Sequence, residues 1–228
     1  MYTLHIGNKN YSSWSLRPWA LMKACGIPFD EKLHRFGPDF PAGIASSSPT
    51  GKVPCLTDGA TAVWDSLAIV EYLAERHAKV WPADPTTRAW ARCAAAEMHS
   101  SFATLRNQHG MNIGVRIAVA SRSPELLADI ARVETLWNEG LERFGGPFLA
   151  GAEFTAVDAF FAPVVFRFQT YDVKLTGAAA AYLARMLQHP ALRAWEEAAL
   201  AEDFRDPAHE TDFAAAGMLV ADLRVPPR

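Results

Sequence analysis

The hydrophobic period of this chain changes once, at Trp81-Pro-Ala-Asp-Pro, and that change limits it to a mixed α/β first part followed by a helical second part. Apolar and polar residues alternate over Tyr2–Ile6, as a half-buried strand requires. A polar turn, Gly7-Asn-Lys-Asn-Tyr-Ser-Ser, then leads into the apolar run Leu16–Ala24, which stops at Cys25-Gly26-Ile27-Pro28. Pro18 suits the first turn of that helix, where its missing N–H has no intrahelical acceptor to lose. Phe29–Phe36 reads as a second strand, and a Pro/Gly/Ser-rich loop follows through residue 51. Val53–Trp64 reads as two short strands about an Asp58-Gly59 turn, and Ser66–Arg76 as an amphipathic helix. The order is βαβ–ββα over residues 1–80, with a linker at about 81–86. Over 87–228 nothing reads as a strand. Helices are expected near 87–108, 124–144, 155–171, 178–188 and 191–203, and Arg224-Val-Pro-Pro-Arg228 as a loosely held end.

Half of the 228 residues are apolar, enough for a substantial core, and the 22 basic against 25 acidic residues give no field to hold nucleic acid. The opening residues lack a basic segment followed by a long apolar one, and no stretch of about 18 apolar residues occurs. A soluble cytoplasmic protein without membrane contact is expected. Cys25, Cys55 and Cys93 lack metal-ligand spacing and the seven histidines are dispersed, so no metal is expected.

Four features follow one another along the chain: Tyr11-Ser12-Ser13-Trp14-Ser15 at the first strand-to-helix junction, Lys52-Val53-Pro54 before the hairpin, Asp65-Ser66 at a helix start, and Thr155-Ala-Val-Asp158 in the helical part. Together they resemble the cytosolic glutathione S-transferase family over nearly the whole chain. The Ser-Ser-x-Ser junction followed by Arg17 is most similar to zeta-like bacterial members of the serine type. The resemblance implies a thioredoxin-like glutathione-binding domain with an all-helical second domain, glutathione as cosubstrate, and a homodimer serving detoxification.

The chemistry such a protein needs is the glutathione thiolate. A free thiol ionises near 8.5, and lowering that by about two units takes roughly 2.7 kcal/mol, within reach of one charge-assisted hydrogen bond and a helix N-terminus. By the resemblance, Ser12 is the activating hydroxyl, with Ser13 and the Trp14 backbone as accessory donors; helix capping is the plainer role for the same serines. Val53, before a proline that is cis in the family, offers its backbone to the cysteinyl residue, and Lys52 a charge for a carboxylate. Asp65 suits the γ-glutamyl ammonium and Ser66 the adjoining carboxylate, again with capping as the alternative. Thr155 and Asp158 form a capping box. Met98, Phe102 and Arg106, at i, i+4 and i+8, together with Asn112, are candidates for the wall of a pocket for a small hydrophobic electrophile. Trp14 replaces a cysteine of the zeta motif, which argues for conjugation over maleylacetoacetate-type cis-trans isomerisation. A non-catalytic binding module is the third possibility.

Overall fold

The computed structural model describes residues 1–227. Tyr2–Ile6 (β1), with Leu4 and Ile6 fully buried, lies at the centre of a four-stranded sheet. It pairs in parallel with Phe29–Leu33 (β2) and antiparallel with Cys55–Asp58 (β3). The chain then turns back through Gly59, whose φ of 58° favours glycine, into Thr61–Val63 (β4). Ser13–Ala24 (α1) joins β1 to β2, and Ser66–Ala74 (α3) follows β4, so the βαβ–ββα order holds with sheet order β2-β1-β3-β4. The loop between β2 and β3 is less open than its composition implies. It holds a short helix, Phe40–Ala45 (α2), started by Pro41 and anchored by its single buried side chain, Ile44.

Seven helices follow: Pro85–Ser100 (α4), Ala103–Gln108 (α5), Pro124–Phe144 (α6), Ala156–Thr170 (α7), Gly177–Gln188 (α8), Pro190–Leu200 (α9) and Pro207–Ala216 (α10). Three expectations need correction. The stretch 87–108 is two helices, because the chain bends at Phe102, held in the left-handed region at φ 59°. The second part also contains strands: Val115–Ala118 (β5) pairs antiparallel with Met218–Asp222 (β6). Met218, Leu219 and Val220 are exposed, so β6 carries no core pattern by which a sequence would reveal it.

The tail is not loose through Val225. Arg224 is buried and bridges Glu210 (2.6 Å) and Asp222 (2.8 Å), while the Val225 N–H donates to Leu200 O at 2.9 Å. Arg228 lies outside the described residues. Among the described residues no helix is long and apolar enough to cross a membrane, and no group of three or more His, Cys, Asp or Glu side chains could hold a metal ion.

Two helices are buried almost all round, which explains their weak amphipathic pattern. Helix α1 sits between the sheet and the helical part, packing on α3, α7 and α9. Helix α7 buries every side chain except that of Gln169, and Trp137, Phe160, Phe161 and Trp195 pack in the same core. The first turn of α7 is fixed by the expected capping box. Asp158, fully buried, accepts from the N–H groups of Thr155 (2.9 Å) and Leu149 (3.0 Å) and from the Tyr182 hydroxyl (3.0 Å). Burial pushes its carboxyl up to about 6, so at neutral pH it remains a carboxylate matched to these donors. Ala156 N–H donates to Val80 O at 2.9 Å, tying α7 to the linker.

Two outcomes follow. Asp158→Ala strands three buried donors and lowers stability by about 3 kcal/mol or more, read as a shifted urea midpoint, while glutathione affinity of the folded fraction is unchanged. Arg224→Met frees α10 and β6 from their anchor. Limited proteolysis then cuts between residues 201 and 222 several-fold faster than in the parent, with cleavage elsewhere unaltered.

Candidate active site at the start of the first helix

Asn8 O accepts from the N–H groups of both Tyr11 (3.1 Å) and Ser12 (2.8 Å), and this tight turn delivers the chain into α1. Gly7 is needed beneath it. A Cβ there would lie 2.4 Å from the Phe36 ring and 3.1 Å from Ser12 Oγ. Ser12 occupies the N-cap position of α1, yet its side chain caps nothing. Its Oγ lies 2.7 Å from Ser15 Oγ, which accepts the Gly7 N–H at 3.2 Å. Ser12 donates to Ser15 Oγ, which accepts from the Gly7 N–H as well, so a backbone N–H and two hydroxyls form a connected line that ends at the cavity wall. The Ser13 hydroxyl makes no hydrogen bond among the described residues, and it too lines the cavity.

Tyr11, next to this pair, is already committed. Its hydroxyl donates to Glu210 Oε1 at 2.6 Å, and burial followed by that carboxylate holds the phenol above its ordinary range.

Two adjoining cavities meet at Trp14, Lys52 and Val53. The larger, of about 550 Å³, also takes in Ser12, Ser13, Phe36, Arg106, Met111, Arg167 and His209. The smaller, of about 380 Å³, takes in Thr50, Pro54, Trp64 and Asp65. The Val53–Pro54 bond is cis. Asp65 caps α3 through the Leu67 N–H at 3.0 Å and still faces outward, with His99 Nε2 3.5 Å away. Ser66 is fully buried behind it, its Oγ 3.4 Å from Arg17 Nη1.

Of the residues expected at the site, Ser12, Ser13, Trp14, Lys52, Val53, Pro54, Asp65 and Arg106 therefore share one cleft. Ser66, Met98, Phe102 and Asn112 do not line it. Met98 faces the core from α4, and the left-handed turn at Phe102 breaks the i, i+4, i+8 stripe that was to carry them. Asn112 is buried, and its amide donates to Glu210 at 3.3 Å. Cys55 is also buried, which raises its thiol pKa and leaves it a poor nucleophile.

Sequence reasoning missed several contributors, among them Phe36 from the loop after β2, Arg167 on α7, and His209 and Asp212 on α10. Arg167 had a readable signal, a single charge inside the run Ala159-Phe-Phe-Ala-Pro-Val-Val-Phe-Arg-Phe. It belongs to a cluster. Arg17 is 1% exposed, with its guanidinium 4.1 Å from the centre of the Trp14 ring, and Arg106 lies 5.7 Å from that ring. Arg167 is 5% exposed and donates to the carbonyls of Arg106 and His109. None of the three forms an ion pair with a carboxylate among the described residues. Burial first, and then their mutual repulsion, lowers Arg17 to about 9 and contributes to holding Arg167 near 10. The site is consequently electropositive.

Comparison with known proteins identifies the family and the fold. The glutathione S-transferase N-terminal domain model matches residues 11–76, and the glutathione S-transferase C-terminal domain model matches residues 120–198. A zeta-class glutathione S-transferase of Euphorbia esula is 30% identical over 137 residues, 59% of this chain and 59% of that protein. A stringent starvation protein A homolog of Pasteurella multocida is 28% identical over 149 residues, 62% of this chain and 66% of that protein. The matches thus span about three fifths to two thirds of the length of these curated relatives. Among solved structures, the theta-class glutathione S-transferase of Xanthomonas axonopodis pv. citri, determined with glutathione bound, superposes with a TM-score of 0.61 at 25% identity, covering 85% of this chain and 95% of that one. With both of the family's domains matched in order over more than half of its residues, this chain belongs to the glutathione S-transferase family.

Proposed function

We propose that the protein is a glutathione transferase in which Ser12 stabilises the glutathione thiolate for attack on an electrophile held in the larger cavity. The observation that carries this reading is the hydrogen-bonded line of Gly7 N–H, Ser15 Oγ and Ser12 Oγ, in which Ser12 donates inward to Ser15 while no ligand is beside it. Hydroxyl protons rotate without moving their oxygens. When an anion sits beside Ser12, Ser15 can donate to Ser12 and Ser12 outward, so that each bond polarises the next. Ser13 supplies a second, uncommitted hydroxyl, and the Trp14 N–H lies in the first turn of α1, where helical N–H groups lack intrahelical acceptors.

Glutathione then lies along the smaller cavity. The backbone of Val53 pairs with its cysteinyl residue, Asp65 accepts from its ammonium, and Lys52 neutralises a carboxylate, while Arg17, bonded to Ser66 behind Asp65, adds positive charge at the γ-glutamyl end from beneath the cavity floor. The two domains, divided at about residues 81–86, contribute glutathione and electrophile contacts respectively, and two copies associate as a soluble cytoplasmic dimer.

Arg106 and Arg167 change the expected electrophile from a wholly apolar one to one with an anionic or strongly polar group. Neither guanidinium has a carboxylate at ion-pair distance among the described residues, although Asp129 acts on Arg106 and Asp212 shares the cavity wall, so burial remains costly for both and a ligand carboxylate beside them becomes favourable. The same observation favours a second reading, in which the thiolate adds transiently to an unsaturated keto-acid, isomerises it and leaves.

Ser12→Ala lowers kcat/KM by about 100-fold with glutathione affinity within a few-fold of the parent. Undiminished turnover in that variant contradicts the role given to Ser12. Measured glutathione consumption separates the two readings: one equivalent per product for conjugation, none for isomerisation. A parent inactive with every electrophile indicates a binding module.

A further inference from the structure

His209 lies outside everything the thiolate chemistry uses, yet its ring is the most constrained imidazole at the larger cavity. Nδ1 lies 2.6 Å from Asp206 Oδ2, and Asp206 is itself buried. One face of the ring stacks on Tyr11, with centroids 4.9 Å apart and planes at 24°, and Phe36 stacks on it at 5.3 Å and 17°. Both of those rings line the same cavity. Carboxylate and stacking together fix the imidazole plane. Nδ1 is spent on Asp206, so Nε2, which has no partner among the described residues, is the nitrogen free to gain and lose a proton.

Capping alone accounts for part of this. Asp206 is the N-cap of α10 and also accepts the His209 N–H at 3.2 Å. A cap needs only a backbone N–H at that position, however. It does not need an imidazole on the carboxylate, two aromatic faces around it, or a side chain left 40% exposed at the mouth of a cavity. The segment is itself anchored, since the next residue, Glu210, is held by Tyr11 and Arg224. A cavity of about 550 Å³ spans on the order of 10 Å, so a molecule in contact with the Ser12 turn also meets the α10 wall.

We propose that His209, positioned by Asp206, is a catalytic proton donor and acceptor, and that the electrophiles it serves are carbonyl compounds conjugated to a carbon–carbon double bond. This rests on the thiolate reading above and names the substrate class. In such an addition the sulfur forms a bond to the β-carbon. The carbon–carbon π pair shifts to join the α-carbon to the carbonyl carbon, the carbonyl π pair moves onto oxygen, and the enolate oxygen takes a proton from His209 Nε2. The enol returns to the ketone as the α-carbon takes a proton from solvent and the enol hydroxyl releases one to it. The proton shed when the glutathione thiol ionises passes to solvent, and His209 is reprotonated from solvent, so that thiol and enone combine with nothing lost. Displacement of a halide from an aromatic ring generates no enolate, and its leaving group departs as an anion, so it needs no such donor.

The test compares two electrophiles, benzalacetone for addition and chlorodinitrobenzene for displacement, in the parent, His209→Gln and Asp206→Asn. Gln keeps the backbone N–H bonded to Asp206, and Asn is a good N-cap, so Asp206→Asn remains informative if His209→Gln folds poorly. His209→Gln lowers the ratio of kcat for benzalacetone to kcat for chlorodinitrobenzene by about 100-fold, and Asp206→Asn, acting through orientation, by about 10-fold. A purely structural role moves both electrophiles together and leaves the ratio within twofold of the parent, which overturns the proposal. A parent that turns over chlorodinitrobenzene but not benzalacetone overturns it as well. A parent inactive with both removes the thiolate reading first, and this one with it.

Discussion

The packing of α1 against α7 is the constraint from which the site follows. Helix α1 is covered by the sheet on one side and by α7 on another, so its axis cannot shift without opening the core. Its first turn is therefore presented at a fixed place, at the seam between the two parts of the chain. Helix α7 is held in turn by Asp158, whose carboxylate ties the start of α7 to Leu149 and to Tyr182 of α8. A residue far from any substrate thus determines where the serine turn stands.

Electrostatics gives that seam its character. Arg17, Arg106 and Arg167 come from α1, α5 and α7, with Arg167 reaching across to the carbonyls of Arg106 and His109. Their charges repel and are poorly solvated, and the protein supplies carbonyls and a serine hydroxyl in place of carboxylates. A site of this kind attracts anions, the glutathione thiolate and carboxylates among them. Tyr11 could have competed as thiol activator, but its hydroxyl is engaged with Glu210 in the C-terminal anchor. Tyr11 holds the C-terminal segment, and Ser12 and Ser13 stand at the cavity wall.

The first 76 residues were legible because their elements are separated by residues with specific backbone demands. Gly26-Ile-Pro28 ends α1, Asp58-Gly59 makes the hairpin, and Asp65 starts α3 through its side chain. The Thr155–Asp158 box was equally readable, being a local reciprocal pair. What could not be read depended on distant contacts. Phe102 adopts a left-handed conformation that no neighbour in sequence dictates, so a stripe that looked continuous is broken. The strand Met218–Asp222 has exposed apolar side chains and pairs with a segment about a hundred residues earlier. His209 was one histidine among seven until α10 folded back over the cavity and set it between Tyr11 and Phe36. The wall built by the C-terminal segment was therefore beyond sequence reasoning, whereas most residues that line the smaller cavity were within it.

The central claim is that this turn makes a bound thiol more acidic, and the most direct measurement is a titration of glutathione bound to the parent protein, followed by thiolate absorbance. The account predicts ionisation about two pKa units below that of free glutathione. A bound thiol that ionises where the free one does contradicts it.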